Sequence, residues 1–376
     1  MRRVLTVPRA DWQKRVEGLG LAWHSNQKPY WNECAYYEFS AKEVDVIQSA
    51  TNELESMALE AVRHVIEHKL YWRMGIPDSA IELIERSWEA EPPSLYGRFD
   101  LAYDGTHPPK LLEYNADTPT SLLEAAVVQW YWLRDVFPGR DQFNSIHEKL
   151  IARWKALAPC LPGGHVDFCS LDDLEDGMTV TYLQDTAQQA GLTASAFPID
   201  EIGWNGSRFV GPADRPLGAV FKLYPWEWMV REEFGKYLGN AATVWVEPPW
   251  KMVLSNKGIL PVLWRMYPRH PNLLEASFDG PGLMMSWVRK PLLGREGSNI
   301  LLHRPGEDVE TGGDYGAEGF VFQDLAPLKS FDGMYPTIGS WVIGHEEGDA
   351  AAGMGIRESE TPITTNQSQF VPHVFG

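Results

Sequence analysis

Hydrophobic positions in the first part of the chain recur at helical spacing. Between Ala41 and Met74, apolar residues return mostly every three to four positions, which predicts an amphipathic helix. The pattern also predicts helices from Ser121 to Phe137 and from Asp141 to Leu157. Around Arg98 and Leu111, short alternating segments predict two strands, joined by DGTHPPK. The Asp-Gly pair signals a turn, and the prolines keep that connection out of the ladder.

The hydrophobic pattern changes in the middle of the chain. GGHVDFCSL, a helical stretch ending at Gln189 and GLTASAFPI predict a β-α-β unit, and AVFKLYP predicts a further strand. From Pro248 onward, glycine-rich loops separate apolar runs, and WVRKPLLGREGSNILL predicts strand, loop and strand. Strands are also predicted in GFVFQDL and GMGIRES, and PPWKMVLSNKGILPVLW is strand-like with embedded lysines. The second half is therefore predicted to be rich in β-structure.

Composition places the chain among globular proteins. Its 376 residues are 44% hydrophobic and 22% charged, enough for two or three folding units. No run of apolar residues is long enough to span a membrane, and MRRVLTVPRADWQ lacks the apolar segment of a secretory signal. The net charge of −18 argues against nonspecific nucleic-acid binding. Cys34, Cys160 and Cys169 are widely spaced, which argues against disulfides and favours a reducing cytoplasm. We expect their thiols to be buried rather than to act as nucleophiles.

Polar side chains stand two positions apart on each of the two predicted strands near Arg98. Arg98 and Asp100 share one strand, and Glu113 and Asn115 share the next, so each pair projects from one face of its strand. Carboxylate and amide oxygens are ligands that Mg²⁺ prefers, and Arg98 could hold a phosphate or carboxylate through two hydrogen bonds. The alternative is a solvated sheet face with cross-strand ion pairs. The spacing alone leaves both open.

Two lysines and a glycine loop in the second half could bind phosphate. Lys257 and Lys290 stand in apolar, strand-like surroundings, where an ammonium needs either an anionic partner or a route to the surface. The loop GREGSN, Gly294 to Asn299, could cap phosphates with backbone N–H groups or be an ordinary glycine hairpin. No GxxxxGK[ST] motif is present, which excludes a P-loop, and no GxGxxG follows a predicted strand.

One short motif points to different chemistry. His64, Glu67 and His68 fit H-x-x-E-H, which on a helix would place both histidines on one face, as in an inverted zinc-peptidase motif. Zinc would still need a third ligand and an open position. The alternative is a polar helix flank with these side chains in water. No G-x-S-x-G elbow is present, so a serine hydrolase of that type is unsupported.

Longer blocks resemble the synthetase region of the glutathionylspermidine synthase family of ATP-grasp ligases. The blocks are GRFD, LLEYNADTPTSLLEA, EPPWKMVLSNKGILPVLW, WVRKPLLGREGSN, YGAEGFVFQDL and IGSWVIG with GMGIRES, in that order from Tyr96 to Ser359. The resemblance implies an α/β (α+β) fold. A pre-ATP-grasp domain is expected over residues 1–215 and a C-terminal ATP-grasp domain over residues 216–376, the two interleaving.

The resemblance also assigns roles by position. The positions that match the family's magnesium ligands are Asp100, Glu113 and Asn115, and two ions are expected. The positions that match its charge-stabilising arginines are Arg98 and Arg357. Hydroxyl groups expected to contact the acid substrate belong to Thr118, Thr120 and Ser121. Together with the glycine loop, the ATP-binding set comprises Lys257, Lys290, Gly294, Gly297, Ser298, Gln323, Asp324 and Leu325.

The implied activity is that of a stand-alone acid–amine ligase in the cytoplasm. It would join a small peptide-like acid to an amine, such as a polyamine, through an acyl phosphate. The chain begins at the synthetase region, so the amidase activity of bifunctional members is not expected. Ser121 stands where the bacterial enzyme has a cysteine, so glutathione and spermidine are not carried over as substrates. The alternative is a non-catalytic ATP-binding or regulatory protein, against which the retained metal and lysine positions argue.

Overall fold

The computed structural model describes residues 1–26, 28–240, 242–345 and 348–376. Its α-helices in these ranges are α1 (Trp12–Gly18), α2 (Ala41–Glu67), α3 (Asp78–Ala90), α4 (Gln129–Val136), α5 (Ile146–Leu157), α6 (Leu174–Gln189), α7 (Trp226–Met229), α8 (Lys251–Ser255) and α9 (Ile259–Met266). The strands are β1 (Arg2–Leu5), β2 (Ser25–Asn26), β3 (Lys28–Pro29), β4 (Ala35–Phe39), β5 (Tyr96–Ala102), β6 (Lys110–Asn115), β7 (His165–Ser170), β8 (Thr193–Pro198), β9 (Gly203–Trp204), β10 (Phe209–Gly211), β11 (Arg215–Pro216), β12 (Ala219–Leu223), β13 (Val244–Val246), β14 (Ala276–Ser277), β15 (Trp287–Pro291), β16 (Leu301–Arg304), β17 (Glu307–Glu310), β18 (Phe320–Asp324), β19 (Tyr335–Ile343), β20 (Ala351–Ser359), β21 (Gln369–Val371) and β22 (His373–Phe375).

The long helix α2 follows the predicted stripe of apolar residues. Ser40 caps its first turn, and the carboxylate of Glu43 accepts a hydrogen bond from the Ser40 backbone in return. Residues such as Val44 and Leu54 are buried along one face. The helix ends at Glu67 because Lys69 takes a left-handed backbone conformation, and a 3₁₀ turn over Leu70–Met74 continues the chain. The predicted helical region is confirmed, with this break near its end.

The middle of the chain forms the predicted β-α-β unit. Strands β7 and β8 pair in parallel, and α6 connects them after a cap by Asp173. Strands β12 and β13 extend the sheet, giving the order β13-β12-β7-β8. Parallel strands need crossovers and are usually covered on both faces, which fits the complete burial of β12, whereas β8 lies at the edge of the sheet and is more exposed.

Strands β5 and β6 lie next to one another in a second sheet, ordered β21-β20-β19-β5-β6. The register places Arg98 opposite Asn115 and Asp100 opposite Glu113, with an irregularity directly after Asp100. The strand from GMGIRES is β20. A third sheet, β14-β18-β15-β16-β17, contains the predicted strands before and after the glycine loop. The polar positions predicted to share a face therefore do meet across two paired strands.

The prediction that Lys257 lies in a strand-like segment is wrong. The segment forms α8 and α9, and Lys257 stands in the turn between them. Helix α9 is apolar, with buried residues including Ile259 and Leu263, and packs against α2. A short continuous apolar run fits a buried helix as well as a buried strand, which is why the pattern misled. Lys290, by contrast, lies on β15 as predicted.

Two other predictions need local corrections. The helix predicted from Ser121 consists of a π-helical turn, Glu124–Val128, followed by α4. The helix predicted from Asp141 begins only at Ile146, because the Asp141 backbone pairs with Phe375 instead.

The cysteines only partly match the expectation. Cys169 is buried in β7, as predicted, whereas Cys34 and Cys160 are exposed, so burial was the wrong prediction for these two. Cys34 precedes β4 and Cys160 ends a 3₁₀ turn, and connecting segments of this kind run over the surface. All three thiols are free.

Two of the three larger sheets draw strands from either side of the predicted boundary between residues 215 and 216. Strands β7 and β8 precede it while β12 and β13 follow it, and β5 and β6 pair into a sheet completed by β19 to β21. The boundary itself stays a prediction. The mixed α/β class expected from the sequence is confirmed. Within the described ranges, no helix is long and apolar enough to cross a membrane.

Candidate functional site

A cavity of about 440 Å³ opens where the three larger sheets approach one another. Most of the predicted site residues line it, although they come from distant parts of the chain. Three predicted residues, Lys257, Gly294 and Ser298, do not line it directly. The predicted residues that do are Arg98, Asp100, Glu113, Asn115, Thr118, Thr120, Ser121, Lys290, Gly297, Gln323, Asp324, Leu325 and Arg357.

Two arginines hold Asp100 at one wall of the cavity. Arg98 donates through Nε to Oδ1 of Asp100 at 2.6 Å and through Nη2 to Oδ2 at 3.1 Å. Arg357, from β20, donates to Oδ2 at 3.2 Å. Arg98 also donates to the carbonyl oxygen of Thr120 at 2.6 Å. The guanidinium groups are thereby fixed at the cavity surface, where they could face a further anion.

Two lysines converge on Glu113 at the neighbouring position of the sheet. Lys257 Nζ lies 2.9 Å from Oε2 of Glu113, and the Asn115 amide donates to Oε1 at 3.1 Å. Burial raises the pKa of the Glu113 carboxyl, but Lys257, Lys290 and Asn115 outweigh it, so the pKa lies below its usual value. Glu113 is therefore ionised at neutral pH, as a metal ligand must be.

Lys290 is buried and held in place by acceptors. Its ammonium donates to the carbonyl oxygen of Leu112 at 2.8 Å and to Oε1 of Gln323 at 2.7 Å. Burial lowers the pKa of Lys290 to about 8; Lys257 adds to the drop and Glu113 opposes it. The third ammonium proton has no partner among the described residues. This lysine can therefore donate to an anion in the cavity.

The oxygens of Asp100, Glu113 and Asn115 fit a hard divalent cation by their chemistry. The two carboxylates face each other across the β5–β6 pair, and the Asn115 amide, which donates through Nδ2, keeps Oδ1 as an acceptor. Their present partners are guanidinium and ammonium groups, so positive charge already gathers at these oxygens. No group of three His, Cys, Asp or Glu side chains within the described ranges has metal-binding geometry, and this donor set relies on an amide for its third oxygen.

Part of the cavity lining is apolar, and a surface of this kind can pack against a heteroaromatic ring. Asp324 and Leu325, predicted to meet adenine, lie beside this surface. Their backbone N–H groups already donate to the carbonyl oxygens of Glu275 and Ser286, so these two donors are not free for a ligand. Gln323 instead commits its amide to Lys290 and to the Leu111 carbonyl, which orients the lysine. The apolar walls are formed by Leu112, Val288, Leu302, Ala326 and Leu328.

The glycine loop between β15 and β16 is fastened across the cavity by Arg295. Its guanidinium donates to Oγ1 of Thr118 and to Glu227, each at 2.7 Å. At the start of the loop, the Gly294 carbonyl accepts from Lys257 at 2.6 Å. A Cβ at Gly297 would lie 2.6 Å from a backbone oxygen of Thr364, and its φ is +70°, so only glycine fits there.

Ser121 occupies a conformation that side chains rarely adopt. Its φ is +66°, in the left-handed region that costs a non-glycine residue about 1–3 kcal/mol. Its hydroxyl lies 2.9 Å from that of Tyr30, and Tyr30 packs against Trp23 with ring centroids 4.6 Å apart. The loop before β4 therefore covers this end of the cavity, a contribution that the sequence did not predict.

Acidic side chains at the mouth of the cavity were also missed. Asp173, Glu175 and Asp176 belong to the cap and first turn of α6, and Glu296 approaches from the glycine loop. Burial raises the pKa of Asp176 to about 7, with Asp173 and Glu175 adding to the rise. Burial and Glu296 likewise raise the pKa of Glu175. The available signal was SLDDLED at the carboxyl end of a parallel strand, where α/β proteins bind ligands.

The H-x-x-E-H residues do not form a zinc site in the described structure. The rings of His64 and His68 lie 4.3 Å apart between centroids on the flank of α2, and Glu67 is exposed. Burial and His68 lower the pKa of His64. No third ligand joins them among the described residues, so the polar-flank interpretation is favoured.

Comparison with known proteins gives a match along nearly the whole chain. Residues 3–376 match a protein-family model described as "Glutathionylspermidine synthase preATP-grasp". The Haemophilus influenzae protein named "Putative acid--amine ligase" is 43% identical over 398 aligned positions, covering 100% of both chains.

Longer relatives match over part of their length. Trypanothione synthetase of Crithidia fasciculata is 29% identical, covering 85% of this chain and 53% of that protein. The Escherichia coli bifunctional glutathionylspermidine synthetase/amidase is 27% identical, covering 92% of this chain and 60% of that protein. The chain thus spans little more than half the length of these two relatives.

One solved structure supports the fold class. A glutathione synthetase-like effector from Globodera pallida, in its apo form, superposes with a TM-score of 0.56. The alignment covers 91% of this chain and 89% of that one at 10% identity, so the likeness concerns the fold alone.

Proposed function

Since the chain belongs to the glutathionylspermidine synthase family, we propose that it is an ATP-dependent ligase that joins a carboxylic acid to an amine through an acyl phosphate. Relatives named in the comparisons are ligases and synthetases. ATP would be converted to ADP, and the amide would form as phosphate leaves. The likeness to those proteins does not identify the acid or the amine.

The observation that carries the proposal is the convergence of anion-binding and cation-binding groups in one cavity. Arg98, Arg357 and Lys290 line it beside the carboxylates of Asp100 and Glu113. A ligase of this kind must bring a carboxylate against a triphosphate, and the repulsion between them has to be offset before attack. The arrangement supplies fixed positive charge for both anions and oxygens for the metal that accompanies ATP.

Asp100, Glu113 and Asn115 would hold magnesium, with two ions proposed. Bound there, magnesium would neutralise charge on the phosphates of ATP. Arg98 and Arg357, now paired with Asp100, would turn part of their hydrogen bonding toward the reacting carboxylate and phosphoryl oxygens. Lys290 and Lys257 would hold the phosphates, and Gln323 would keep Lys290 in position.

The proposed reaction has two chemical steps. A carboxylate oxygen of the acid attacks the γ-phosphorus of ATP, and the bond to the β-phosphate oxygen breaks, which releases ADP. The amine nitrogen then attacks the carbonyl carbon of the acyl phosphate, and phosphate leaves with the former carboxylate oxygen. The glycine loop, fastened by Arg295, would exclude water while the acyl phosphate exists.

The carboxylates at the mouth of the cavity support a cationic amine as the second substrate. Asp173, Glu175, Asp176 and Glu296 gather there, and an ammonium would be attracted to them. The amine must lose a proton before it can attack. We propose Asp176 as the acceptor, because it lines the cavity and its pKa of about 7 suits proton transfer near neutral pH.

A screen for ADP release over pairs of acids and amines tests the proposal. Glutathione with spermidine should be one pair, and amino acids and short peptides should be paired with diamines and polyamines. Release that requires both partners, with the mass of the product equal to the condensed amide, supports the ligase. ATP binding without release for any pair would instead favour the non-catalytic ATP-binding alternative, and absence of ATP binding would contradict both.

A further inference from the structure

A buried ion pair stands directly behind the part of the cavity wall that Thr118 forms. Asp117 is 1% exposed and Lys222, on β12, is fully buried, and neither of them lines the cavity. The ammonium of Lys222 donates to Oδ1 of Asp117 at 2.7 Å. A buried ion pair is often no more stabilising than apolar side chains of similar volume, so stability alone does not explain its place beside the cavity.

The pair also contacts the chain at the start of α7. The ammonium of Lys222 donates to the carbonyl oxygen of Tyr224 at 2.8 Å and lies 4.4 Å from the centroid of the Trp226 ring. Oδ2 of Asp117 accepts from the backbone N–H of Trp226 at 2.9 Å. The pair therefore ties the segment that follows β6 to the start of α7 through backbone groups of the second segment.

The next residue in each of these two segments binds the same arginine. Thr118 follows Asp117, and Glu227 follows Trp226. Arg295 donates through Nη1 to Oγ1 of Thr118 and through Nη2 to Oε1 of Glu227, each at 2.7 Å. Nε of Arg295 has no hydrogen-bond partner among the described residues. The hold on this guanidinium group therefore depends on where Thr118 and Glu227 stand relative to one another.

We propose that Asp117 and Lys222 are positioning residues for the glycine loop. They set the distance between Thr118 and Glu227 to the span of one guanidinium group, and Arg295 docks the loop on these two acceptors. The loop and the segment that carries Thr118 are thereby ordered together, so binding of the acid and binding of ATP favour one another. This consequence rests on the proposed function, because it takes Thr118 as part of the acid site and the loop as the cover over ATP.

The charges of the pair determine which variant tests it. Burial raises the pKa of Asp117 and lowers that of Lys222, and each group opposes the shift of the other. Removing one charge would leave the other buried without its partner, which strongly destabilises a fold. Asp117→Ala combined with Lys222→Met removes both charges and every hydrogen bond from these side chains to the start of α7. We call this double substitution the uncharged pair variant.

The neighbouring strand offers a matched control. Asp167 on β7 is fully buried in the sheet that also contains β12, and it accepts from Arg215 at 3.0 Å. Neither residue lines the cavity. Asp167→Ala combined with Arg215→Met therefore removes an ion pair from the same sheet without touching the residues that bind Arg295, and it serves as the control variant.

Hydrogen exchange of the purified full chain tests the positioning without any substrate. Arg295→Met should speed exchange of the loop from Gly294 to Asn299 about tenfold in the wild type, because both docking hydrogen bonds are lost. In the uncharged pair variant the loop should already exchange faster, and adding Arg295→Met should change its rate less than about twofold. In the control variant the tenfold effect should remain. Equal effects of Arg295→Met in all three backgrounds would overturn the positioning role.

Calorimetry with two probes then tests the consequence for binding. The non-hydrolysable ATP analogue AMP-PNP, with magnesium, should raise the affinity of the wild type for glutathione about fivefold or more, because each ligand orders a segment that the other one needs. The uncharged pair variant should lose this coupling, whereas the control variant should keep it. A coupling that survives in the uncharged pair variant would overturn the joint ordering of the loop and the acid-binding segment.

The outcomes separate the positioning role from the proposed function. If the exchange results are as expected while glutathione binds neither the wild type nor any variant, the positioning role stands and the assignment of this part of the cavity to a peptide-like acid fails. Melting temperatures show whether the uncharged pair variant remains folded. If it does not, Asp117→Asn combined with Lys222→Met carries both tests, because its amide oxygen keeps an acceptor for the backbone N–H of Trp226.

Discussion

The substitution Glu113→Gln tests the metal-binding wall of the cavity. It keeps the shape of the side chain but removes the negative charge that Lys257 contacts at 2.9 Å. The removed negative charge is also the largest influence that raises the pKa of Lys290. If Glu113 holds magnesium against ATP, the transferring phosphoryl group should lose its placement, and turnover should fall ~10²-fold or more, equivalent to about 2.7 kcal/mol in the barrier.

The effect on stability can be bounded from the same contact. At 2.9 Å, an ion pair is worth about 6 kcal/mol at an effective dielectric constant of about 20 and about 1.4 kcal/mol in bulk water. The Glu113 side chain is 27% exposed, and Lys257 keeps the Gly294 carbonyl as an acceptor. We therefore expect the free energy of unfolding to fall by about 2 kcal/mol, which leaves the protein folded.

The assay combines ADP release on a working substrate pair with calorimetry of Mg-ATP binding and thermal unfolding. Glu307→Gln is the matched control, because Glu307 is exposed on β17 and does not line the cavity. In Glu113→Gln, the pKa of Lys290 should fall further below about 8. As the pH is raised, the affinity of this variant for ATP should therefore begin to decline at a lower pH than the affinity of the wild type, because Lys290 loses its charge earlier. Near-normal ADP release would refute the metal role. An unfolded variant would instead favour a structural role for the ion pair between Glu113 and Lys257.

Four further outcomes are expected. ATP should bind only with a divalent ion, because Asp100 and Glu113 would otherwise repel the triphosphate; equal affinity in excess chelator by calorimetry would contradict this. If Asp176 accepts the amine proton, kcat/KM for the amine should fall as pH drops through about 7, where the carboxylate becomes protonated, and Asp176→Asn should lose turnover together with this pH dependence; an unchanged profile would assign the base elsewhere. Hydrogen exchange at Gly294 to Asn299 should slow on adding Mg-ATP if the loop closes further. Thr118→Val should raise the KM of the acid, but because Thr118 also accepts from Arg295, it should speed exchange in that loop as well; loss of ATP affinity alone would misplace the acid.

Local sequence patterns correctly predicted much of the fold and the pairing of polar residues on the charged wall of the cavity. Period-two spacing correctly paired Arg98 with Asp100 and Glu113 with Asn115, because a strand face depends only on alternation. The β-α-β unit and the strands around the glycine loop were likewise readable from turns and apolar runs. Lys257 was misplaced because an apolar run of that length does not distinguish a helix from a strand.

The rest of the site depends on contacts between segments far apart in sequence. Tyr30 contacts Ser121, which lies 91 positions away in the sequence, and Arg295 contacts Thr118, which lies 177 positions away. Local periodicity does not predict contacts at such sequence separations. The acidic residues at the start of α6 can be seen in the sequence, but only the structure shows that they lie at the mouth of the cavity.

Transfer of a labelled oxygen tests the central proposal most directly. The acid of a working pair is prepared with a heavy isotope in both carboxylate oxygens, and the phosphate released during amide formation is analysed by mass. An acyl phosphate intermediate predicts one labelled oxygen in each phosphate, because the bond to that oxygen breaks when the amine attacks. Amide formation with ADP release and wholly unlabelled phosphate would contradict the mechanism.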